Sequence, residues 1–157
     1  NVSRVYVFEN SDDNTTCSNT YEWCNQGITA EKENLQHIHY ERDIPGYKDL
    51  FDEQGIFYVQ DIRRLPRNLY EILEPQGIRS LLHCAVREGG VFRGYIGFDE
   101  CVAERLWTQA EIRILQYFSE VLGAFLLSYR RQQNARIQAE AEPAPAVGYG
   151  GEEFCGS

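Results

Sequence analysis

The chain has 157 residues, 43% of them hydrophobic, and a formal net charge of −9. This length is enough to bury the core of one domain and too short for two ordinary domains. The acidic balance argues against a nucleic-acid or anionic membrane surface, since both need clustered lysines and arginines, and no stretch approaches the roughly 20 consecutive apolar residues of a membrane-spanning helix.

The first two predicted strands form a hairpin. Residues 2–9 are apolar on both faces, which is typical of a central strand covered on its two sides. Residues 10–14 read Asn-Ser-Asp-Asp-Asn, a concentrated turn signal, and β character resumes over residues 15–23. The acidic pair in this turn lacks the spaced ligands and central glycine of a calcium loop, so we expect no metal site.

Residues 24–55 form a long connection between predicted strands. Its first half is polar, with Leu35 and Ile38 on one side of a short helix, and the pattern breaks at Pro45 and Gly46. A further helical turn follows, marked by apolar residues at positions i, i+3 and i+4: Tyr47, Leu50 and Phe51. A connection of this length inside a compact domain is usually functional.

The middle of the chain predicts a short strand, a helix and a hairpin. Residues 56–62 form the strand, and Pro66 suits the first position of the helix that follows. Residues 78–86 form the next strand, and residues 88–90 supply the Glu-Gly-Gly turn that leads to the last strand, residues 92–98. Two glycines of that last strand let another backbone or side chain approach closely; they are Gly94 and Gly97.

A long helix begins after Trp107. Thr108 can cap it, and Glu111 three residues later completes a capping box. Trp107 can pack on Ile112 as a hydrophobic staple. The helical pattern continues to about Arg136.

This helix carries two apolar stripes. The first has coiled-coil-like spacing and comprises Leu115, Phe118, Leu122, Phe125 and Tyr129. Ile112 and Leu126 widen that face toward a sheet. The second stripe comprises Ile114, Tyr117, Val121 and Ala124. Because one stripe suffices for packing on a sheet, we expect the second to contact a partner and the protein to be a homodimer.

The strand at residues 92–98 and the Trp-Thr-Gln-Ala-Glu helix start resemble the C-terminal half of a GAF domain, the small-molecule-sensing module of bacterial-type signalling proteins. Four earlier segments resemble GAF segments in the family's order: residues 4–10, 18–24, 58–62 and 76–82. The resemblance covers roughly the first 130 residues and is specific for the fold rather than the ligand, because one fold hosts many chemistries.

The resemblance implies an α/β (α+β) fold, related to PAS domains, with a central antiparallel sheet of five or six strands and helices on both faces. Residues 24–55 correspond to the family's lid over the ligand pocket. The family's usual N-terminal helix is missing here, so we expect one sheet face to be less covered. We expect the GAF domain at residues 1–137 and a disordered linker or tail at residues 138–157, which are rich in Ala, Pro, Gly and Glu.

The resemblance implies a regulatory role without catalysis. An unidentified small molecule would bind under the lid, and the helix after Thr108 would pass the signal to an output domain. The expected ligand contacts lie at strand ends or beside the long connection and combine aromatic walls with polar groups: Tyr21, Trp23, Tyr58, Asp61 and His83. Neither a metal nor a chromophore is expected as a cofactor.

The five cysteines form an odd set without a Cys-x-x-Cys pair, which indicates reduced thiols in a cytoplasmic protein. GAF enzymes that reduce methionine sulfoxide need several reactive cysteines near the pocket, and no helix start or cluster of positive charge marks these cysteines as reactive. Bilin-binding GAF domains carry a Cys-His pair; residues 83–84 reverse it, and adjacent strand residues point to opposite faces. The Asn-Lys-x-Asp-Glu motif of cyclic-nucleotide-binding GAF domains is absent.

Residues 149–154 read Tyr-Gly-Gly-Glu-Glu-Phe and match the signature of diguanylate cyclases. No strand-and-helix pattern precedes this match, so we expect no catalysis and interpret it as a hint that the output domain is a cyclase. Two alternatives to a sensor stay open. One is a dimerisation scaffold whose pocket is filled by Trp23, Tyr58 and neighbouring aromatics, and the other is a thiol-dependent enzyme like the methionine sulfoxide reductases.

Overall fold

The structure is a computed structural model that describes residues 2–141. Its centre is a six-stranded antiparallel sheet with the order β3-β2-β1-β6-β5-β4. The strands are β1 Arg4–Asn10, β2 Thr16–Cys24, β3 Ile38–His39, β4 Ile56–Val59, β5 Ser80–Glu88 and β6 Val91–Glu100. The helices are α1 Tyr40–Asp43, α2 Arg67–Leu73 and α3 Gln109–Ala141. The predicted mixed fold with helices on both faces of one antiparallel sheet is confirmed.

The lid face of the sheet is covered by residues 25–55, which we call the lid, and by α2. Tyr47 and Phe51 of the lid pack with Phe57 of β4 and Tyr95 of β6 in a cluster rich in aromatic rings. Leu69 and Leu73 of α2 close the same cluster. This layer places the long connection over the sheet, where the resemblance implies a lid.

The opposite face is covered by α3. Its Ile112 packs with Leu82, Ile96 and Phe98 of the sheet. Gly123 brings the helix close to β5, since a Cβ at that position would lie 3.0 Å from either γ-carbon of Val86. The helix therefore lies against the strand that also contacts the lid.

The start of α3 has the predicted capping box. The Thr108 amide donates to Glu111 Oε2 at 2.7 Å, and the Glu111 amide donates to Thr108 Oγ1 at 3.2 Å. Trp107 and Ile112 are both buried in the cluster on this face, as expected for a hydrophobic staple. The helix continues to Ala141 rather than ending near Arg136.

The prediction that the coiled-coil-like stripe of α3 packs on the sheet is wrong for three of its five residues. Leu115 and Leu122 pack toward the sheet, but Phe118, Phe125 and Tyr129 are exposed. The reason is that small residues, which carry no hydrophobic signal, complete the buried side of the helix: these are Ser119 and Gly123. The helix is therefore rotated so that most of its large rings face away from the sheet.

Two other boundaries differ from the prediction. β4 ends at Val59 because Asp61 caps a single 3₁₀ turn at Ile62–Arg64, and Pro66 precedes α2 rather than occupying its first position. Within residues 2–141, none of the helices combines the length and apolarity needed to cross a membrane. Residues 138–141 of the predicted disordered tail belong to α3. The rest of that tail, with the Tyr-Gly-Gly-Glu-Glu-Phe string, lies outside the described residues from position 142 onward.

Candidate functional site

Five buried polar side chains cross the centre of the sheet toward the lid. The Tyr6 hydroxyl donates to Asp99 Oδ1 at 2.8 Å and lies 2.5 Å from His83 Nε2. His83 Nδ1 is bonded to the hydroxyl of Tyr47 in the lid. At the other end, Arg4 Nε donates to Asp99 Oδ2 at 3.1 Å. We call these five side chains the polar core network.

Between the lid and Asp99, the hydrogen bonds of the polar core network run in one direction. A hydroxyl has a single proton, and Tyr6 gives its proton to Asp99, so His83 must donate from Nε2 to the Tyr6 oxygen. His83 Nδ1 then carries no proton and accepts from the Tyr47 hydroxyl. The lid is thus bonded to a histidine whose lid-facing nitrogen can only accept.

The pKa values of His83 and Asp99 agree with these protonation states. Burial lowers the pKa of His83 to about 3, so its imidazole is neutral at pH 7. Burial also raises the pKa of Asp99 to about 6, against the lowering effects of Arg4 and Tyr6. The carboxylate is therefore mostly ionised at pH 7, and the Arg4 guanidinium balances its charge.

Gly97 makes room for the network. It lies on β6 opposite Tyr6 of β1 and opposite His83 of β5, so it separates the two residues that must meet. A Cβ at this position would lie 2.1 Å from Tyr6 Cε2. The Tyr6 ring can cross β6 only because residue 97 has no side chain, which confirms the predicted close approach at this glycine.

Arg4 ties the network to two segments that flank the lid face. Its Nη1 donates to the Thr29 carbonyl at 3.0 Å, and its Nη2 donates to the Gln76 carbonyl at 3.0 Å. Thr29 belongs to the first part of the lid, and Gln76 ends the turn after α2. One buried guanidinium therefore holds β1, β6 and both segments together.

Little free space remains under the lid. The cavity there has a volume of about 50 Å³ and is lined by residues that include Tyr47, His83 and Tyr95. Small-molecule sites usually have about 300–1,000 Å³. The lid is therefore closed, and the Tyr47 ring lines the small cavity that remains.

The structure does not bring the five predicted ligand contacts together. His83 alone lies under the lid, in the polar core network. Tyr21 and Trp23 are half exposed and lie on the face of the sheet that α3 covers, beside Tyr129 and Phe118 of that helix. These two aromatic side chains are separated from the lid by the sheet itself.

The other two predicted contacts have local structural partners. Tyr58 packs on the α3 side, where its hydroxyl donates to the Arg105 carbonyl at 3.2 Å and accepts from the Trp107 amide at 3.1 Å. Asp61 accepts three hydrogen bonds from Arg63, one from its amide at 3.0 Å and two from its guanidinium at 2.9 Å each. Neither side chain lines the cavity under the lid.

Sequence reasoning missed four members of the network. Arg4 and Asp99 are charged residues in largely apolar strands, and buried charges are normally paired, so this pattern was the available signal. Tyr6 and Tyr47 carried no comparable signal, because tyrosine is common in strands and in cores. Tyr47 was identified only as an apolar position of the connection.

The four cysteines within residues 2–141 do not form a reactive cluster. Cys84 faces α3 while its neighbour His83 faces the lid, as the alternation of a strand predicts. Burial raises the pKa of Cys17 and of Cys84 to about 11, and also raises the pKa of Cys24 and of Cys101. These described thiols, which are all free, are therefore protonated at pH 7 and are poor nucleophiles.

The outer side of α3 is apolar and open. Large side chains at least half exposed recur along it and include Ile114, Tyr117, Phe118, Val121 and Phe125. Beside them, an open groove of about 610 Å³ is lined by Val2, Val5, Trp23, Phe98, Ile114, Leu115 and Phe118. Contiguous apolar surfaces of this kind mark interaction sites.

A curated protein resembles this chain along most of its length. The methanogenesis regulatory histidine kinase FilI of Methanothrix harundinacea is 33% identical over 146 residues. The match covers 90% of this chain and 16% of the kinase, so the chain spans only a small part of that relative. No family model matches the sequence.

Solved structures share the architecture at low sequence identity. The PixJ GAF domain of Thermosynechococcus elongatus, in its blue-light-absorbing form, superposes with a TM-score of 0.68 at 16% identity, covering 90% of this chain and 84% of that one. A domain described as part of a two-component sensor histidine kinase from Sinorhizobium meliloti has a TM-score of 0.62 at 18% identity, covering 86% and 85%. At such low sequence identity, structural similarity establishes only that this chain shares their fold.

Proposed function

This chain has the fold of a GAF domain, and we propose that it is a cytoplasmic, non-catalytic regulatory module that senses a small molecule for a signal-transduction histidine kinase. The fold and the 33% identity to a regulatory histidine kinase support this assignment. The raised thiol pKa values argue against the alternative of a thiol-dependent enzyme.

The observation that carries the proposal is the position of β5 between the lid and α3. His83 on its lid side bonds to Tyr47. The next residue, Cys84, packs on the α3 side, and Val86 lies against Gly123 of the helix. A ligand that displaced Tyr47 would disturb His83 and, through the same strand, the contact with α3. The helix would then carry the change toward the output domain.

We further propose that α3 pairs with α3 of a second copy. The exposed apolar residues run from Ile114 to Phe125, a distance of roughly 16 Å at the helical rise. A two-fold axis beside the helix would bury this surface against itself, as in isologous dimers. Pairing through the signalling helix would place the output domains of both copies in register.

Hydrogen exchange tests the coupling between the lid and α3. The variant Tyr47→Phe removes the bond to His83 while keeping the ring. We expect faster exchange both at residues 47–51 and at the part of α3 that contacts β5. Tyr70→Phe is the matched control, because it removes a hydroxyl outside the polar core network. Faster exchange in the lid without any change in α3 would contradict the proposed transmission.

One observation favours a second candidate, a dimerisation scaffold without a ligand. The cavity under the lid has a volume of only about 50 Å³, and aromatic rings line it. These rings include Tyr47 and Tyr95 rather than the predicted Trp23 and Tyr58. Native mass spectrometry of freshly purified protein separates the two functions. A bound small molecule supports the sensor, whereas a ligand-free dimer from every expression host supports the scaffold.

A further inference from the structure

We propose that the slot filled by the Tyr47 side chain is the ligand site, that its ligand is a small neutral aromatic ring bearing a hydroxyl group, and that Tyr47 is an intramolecular substitute for this ligand. The inference rests on the proposed sensory function and adds the chemical class of the ligand. It follows from the shape, polarity and charge of the surroundings of one lid residue.

The slot has the shape of a planar ring. Four aromatic rings surround Tyr47, with centroids 5.8 Å away for Phe51, 6.1 Å for Phe57, 6.1 Å for His83 and 5.3 Å for Tyr95. Two of these contacts are edge-on and two are tilted, the arrangements that aromatic pairs prefer. The walls therefore select a flat ring.

The end of the slot requires a hydrogen-bond donor. His83 Nδ1 faces the Tyr47 hydroxyl and has no proton, because Nε2 donates to Tyr6 and Tyr6 donates to Asp99. A buried acceptor left without a donor is costly, so a ring without a hydroxyl would bind less well. A carboxylate at this end would face a lone pair and is disfavoured.

The charged side chains near the slot already have hydrogen-bond partners within the protein. Arg4 and Glu22 line the small cavity beside it. Arg4 is bonded to Asp99, and the Glu22 carboxylate accepts from the amides of Glu31 and Lys32 at 3.0 Å each. Because the protein already uses the hydrogen-bonding capacity of both charged groups, the site favours a ligand that carries no charge.

Tyr47 lies on a short backbone turn that follows a glycine. It begins a single 3₁₀ turn, and the preceding Gly46 adopts a left-handed conformation with φ of 76°. The cavity of about 50 Å³ is too small for a ring beside Tyr47. A ligand must therefore displace Tyr47, and the lid would register its arrival by releasing this residue.

A pair of isosteric probes tests the inference. We would titrate the 157-residue chain and its Tyr47→Ala variant with p-cresol, the detached tyrosine side chain, and with toluene, which lacks the hydroxyl. We expect Tyr47→Ala to bind p-cresol about tenfold more tightly than toluene, because only p-cresol satisfies His83. We expect the unmodified chain to bind p-cresol at least about tenfold more weakly than the variant, because Tyr47 competes for the slot.

Further variants test whether His83 and the Tyr47 side chain set these affinities. Adding His83→Phe to Tyr47→Ala should abolish the preference for p-cresol over toluene. If Tyr47→Ala does not fold alone, p-cresol should restore its thermal transition and toluene should not. In Tyr47→Phe, which keeps the ring, p-cresol should bind more tightly than to the unmodified chain. Equal binding of both probes, or no binding to either Tyr47 variant, overturns the inference. The hydrogen-exchange experiment on the lid and α3 would still stand as a separate test of the sensory function.

Discussion

Arg4 and Asp99 form an ion pair of 3.1 Å between the neighbouring strands β1 and β6, with side chains 1% and 0% exposed. This pair ends the polar core network in the centre of the sheet. Removing two charges from water is costly, and the pair is stable only because backbone carbonyls and Tyr6 satisfy the remaining donors and acceptors. The pair fixes the position of Tyr6, and through it the orientation of His83.

Removing one partner of this ion pair should destabilise the fold strongly. In Asp99→Asn the Arg4 charge stays buried without its counter-ion, and we expect a loss of about 3–5 kcal/mol in the free energy of unfolding. Urea denaturation at pH 7 measures it. The double variant Arg4→Met/Asp99→Asn should lose less than the sum of the two single variants. Additive losses would show that the two side chains do not act as a pair.

His83 should make the protein sensitive to acid. The folded pKa of His83 is about 3 and its ordinary value is 6.5, so between these pH values the unfolded chain binds a proton that the folded chain does not. Stability contributed by the neutral imidazole is therefore complete above pH 6.5 and is lost as the pH falls. The stability advantage of the unmodified chain over His83→Gln should shrink by about 1.4 kcal/mol per pH unit below pH 6.

Asp99 changes the folding stability in the opposite direction over part of the same pH range. Its folded pKa of about 6 lies above the ordinary 3.8, so the folded state holds a proton more tightly and this contribution is lost as the pH rises through 6. Between pH 4 and 6 the two effects oppose each other in the unmodified chain. In His83→Gln the His83 effect is absent, so that variant should gain stability from pH 6 to pH 5, above the range in which carboxyls with a lowered pKa, such as Glu111, lose theirs. Unfolding curves at pH 7, 6, 5 and 4 measure this change. A loss of stability of His83→Gln as the pH falls from 6 to 5 would contradict the prediction.

The fold could be predicted from sequence because its signals are local. The Thr108–Glu111 capping box and the glycines of the last strand specify a helix start and a close approach without any knowledge of the partners. The candidate site could not be predicted in this way. The five side chains of the polar core network come from β1, the lid, β5 and β6, and they meet only in the folded sheet. Aromatic character suggested Trp23 and Tyr58 as pocket walls, yet strand alternation alone could not say which face the lid covers.

Gly97→Ala should test the dependence of the network on close approach. The added methyl group would overlap the Tyr6 ring, and overpacking of this kind costs about 1–3 kcal/mol. Combining Gly97→Ala with Tyr6→Leu removes the obstructing ring, so the combined loss should be smaller than the sum of the single losses. Urea denaturation of the four proteins measures both. A fully additive result would mean that the methyl group is accommodated elsewhere.

Thr108→Ala should weaken the start of α3. The substitution removes the acceptor for the Glu111 amide, and loss of such a cap typically costs about 1 kcal/mol. Thr108→Ser keeps the hydroxyl and is the matched control. Thermal unfolding should place the serine variant close to the unmodified chain and the alanine variant below it. Equal transitions for all three would show that Trp107 packing alone holds the helix start.

A charge on the outer side of α3 should dissociate the proposed dimer. Tyr117 is 70% exposed and Val121 is 55% exposed, and neither packs on the sheet, so glutamate at either position leaves the fold intact. At the centre of a two-fold interface each charge would be desolvated beside its own copy, which should weaken association by about tenfold or more. Gln138→Glu adds the same charge at an exposed position of α3 on a different side from Val121 and Phe125 and should not change association. Light scattering over a range of concentrations measures the mass, and a monomer at every concentration for the unmodified chain would exclude this dimer.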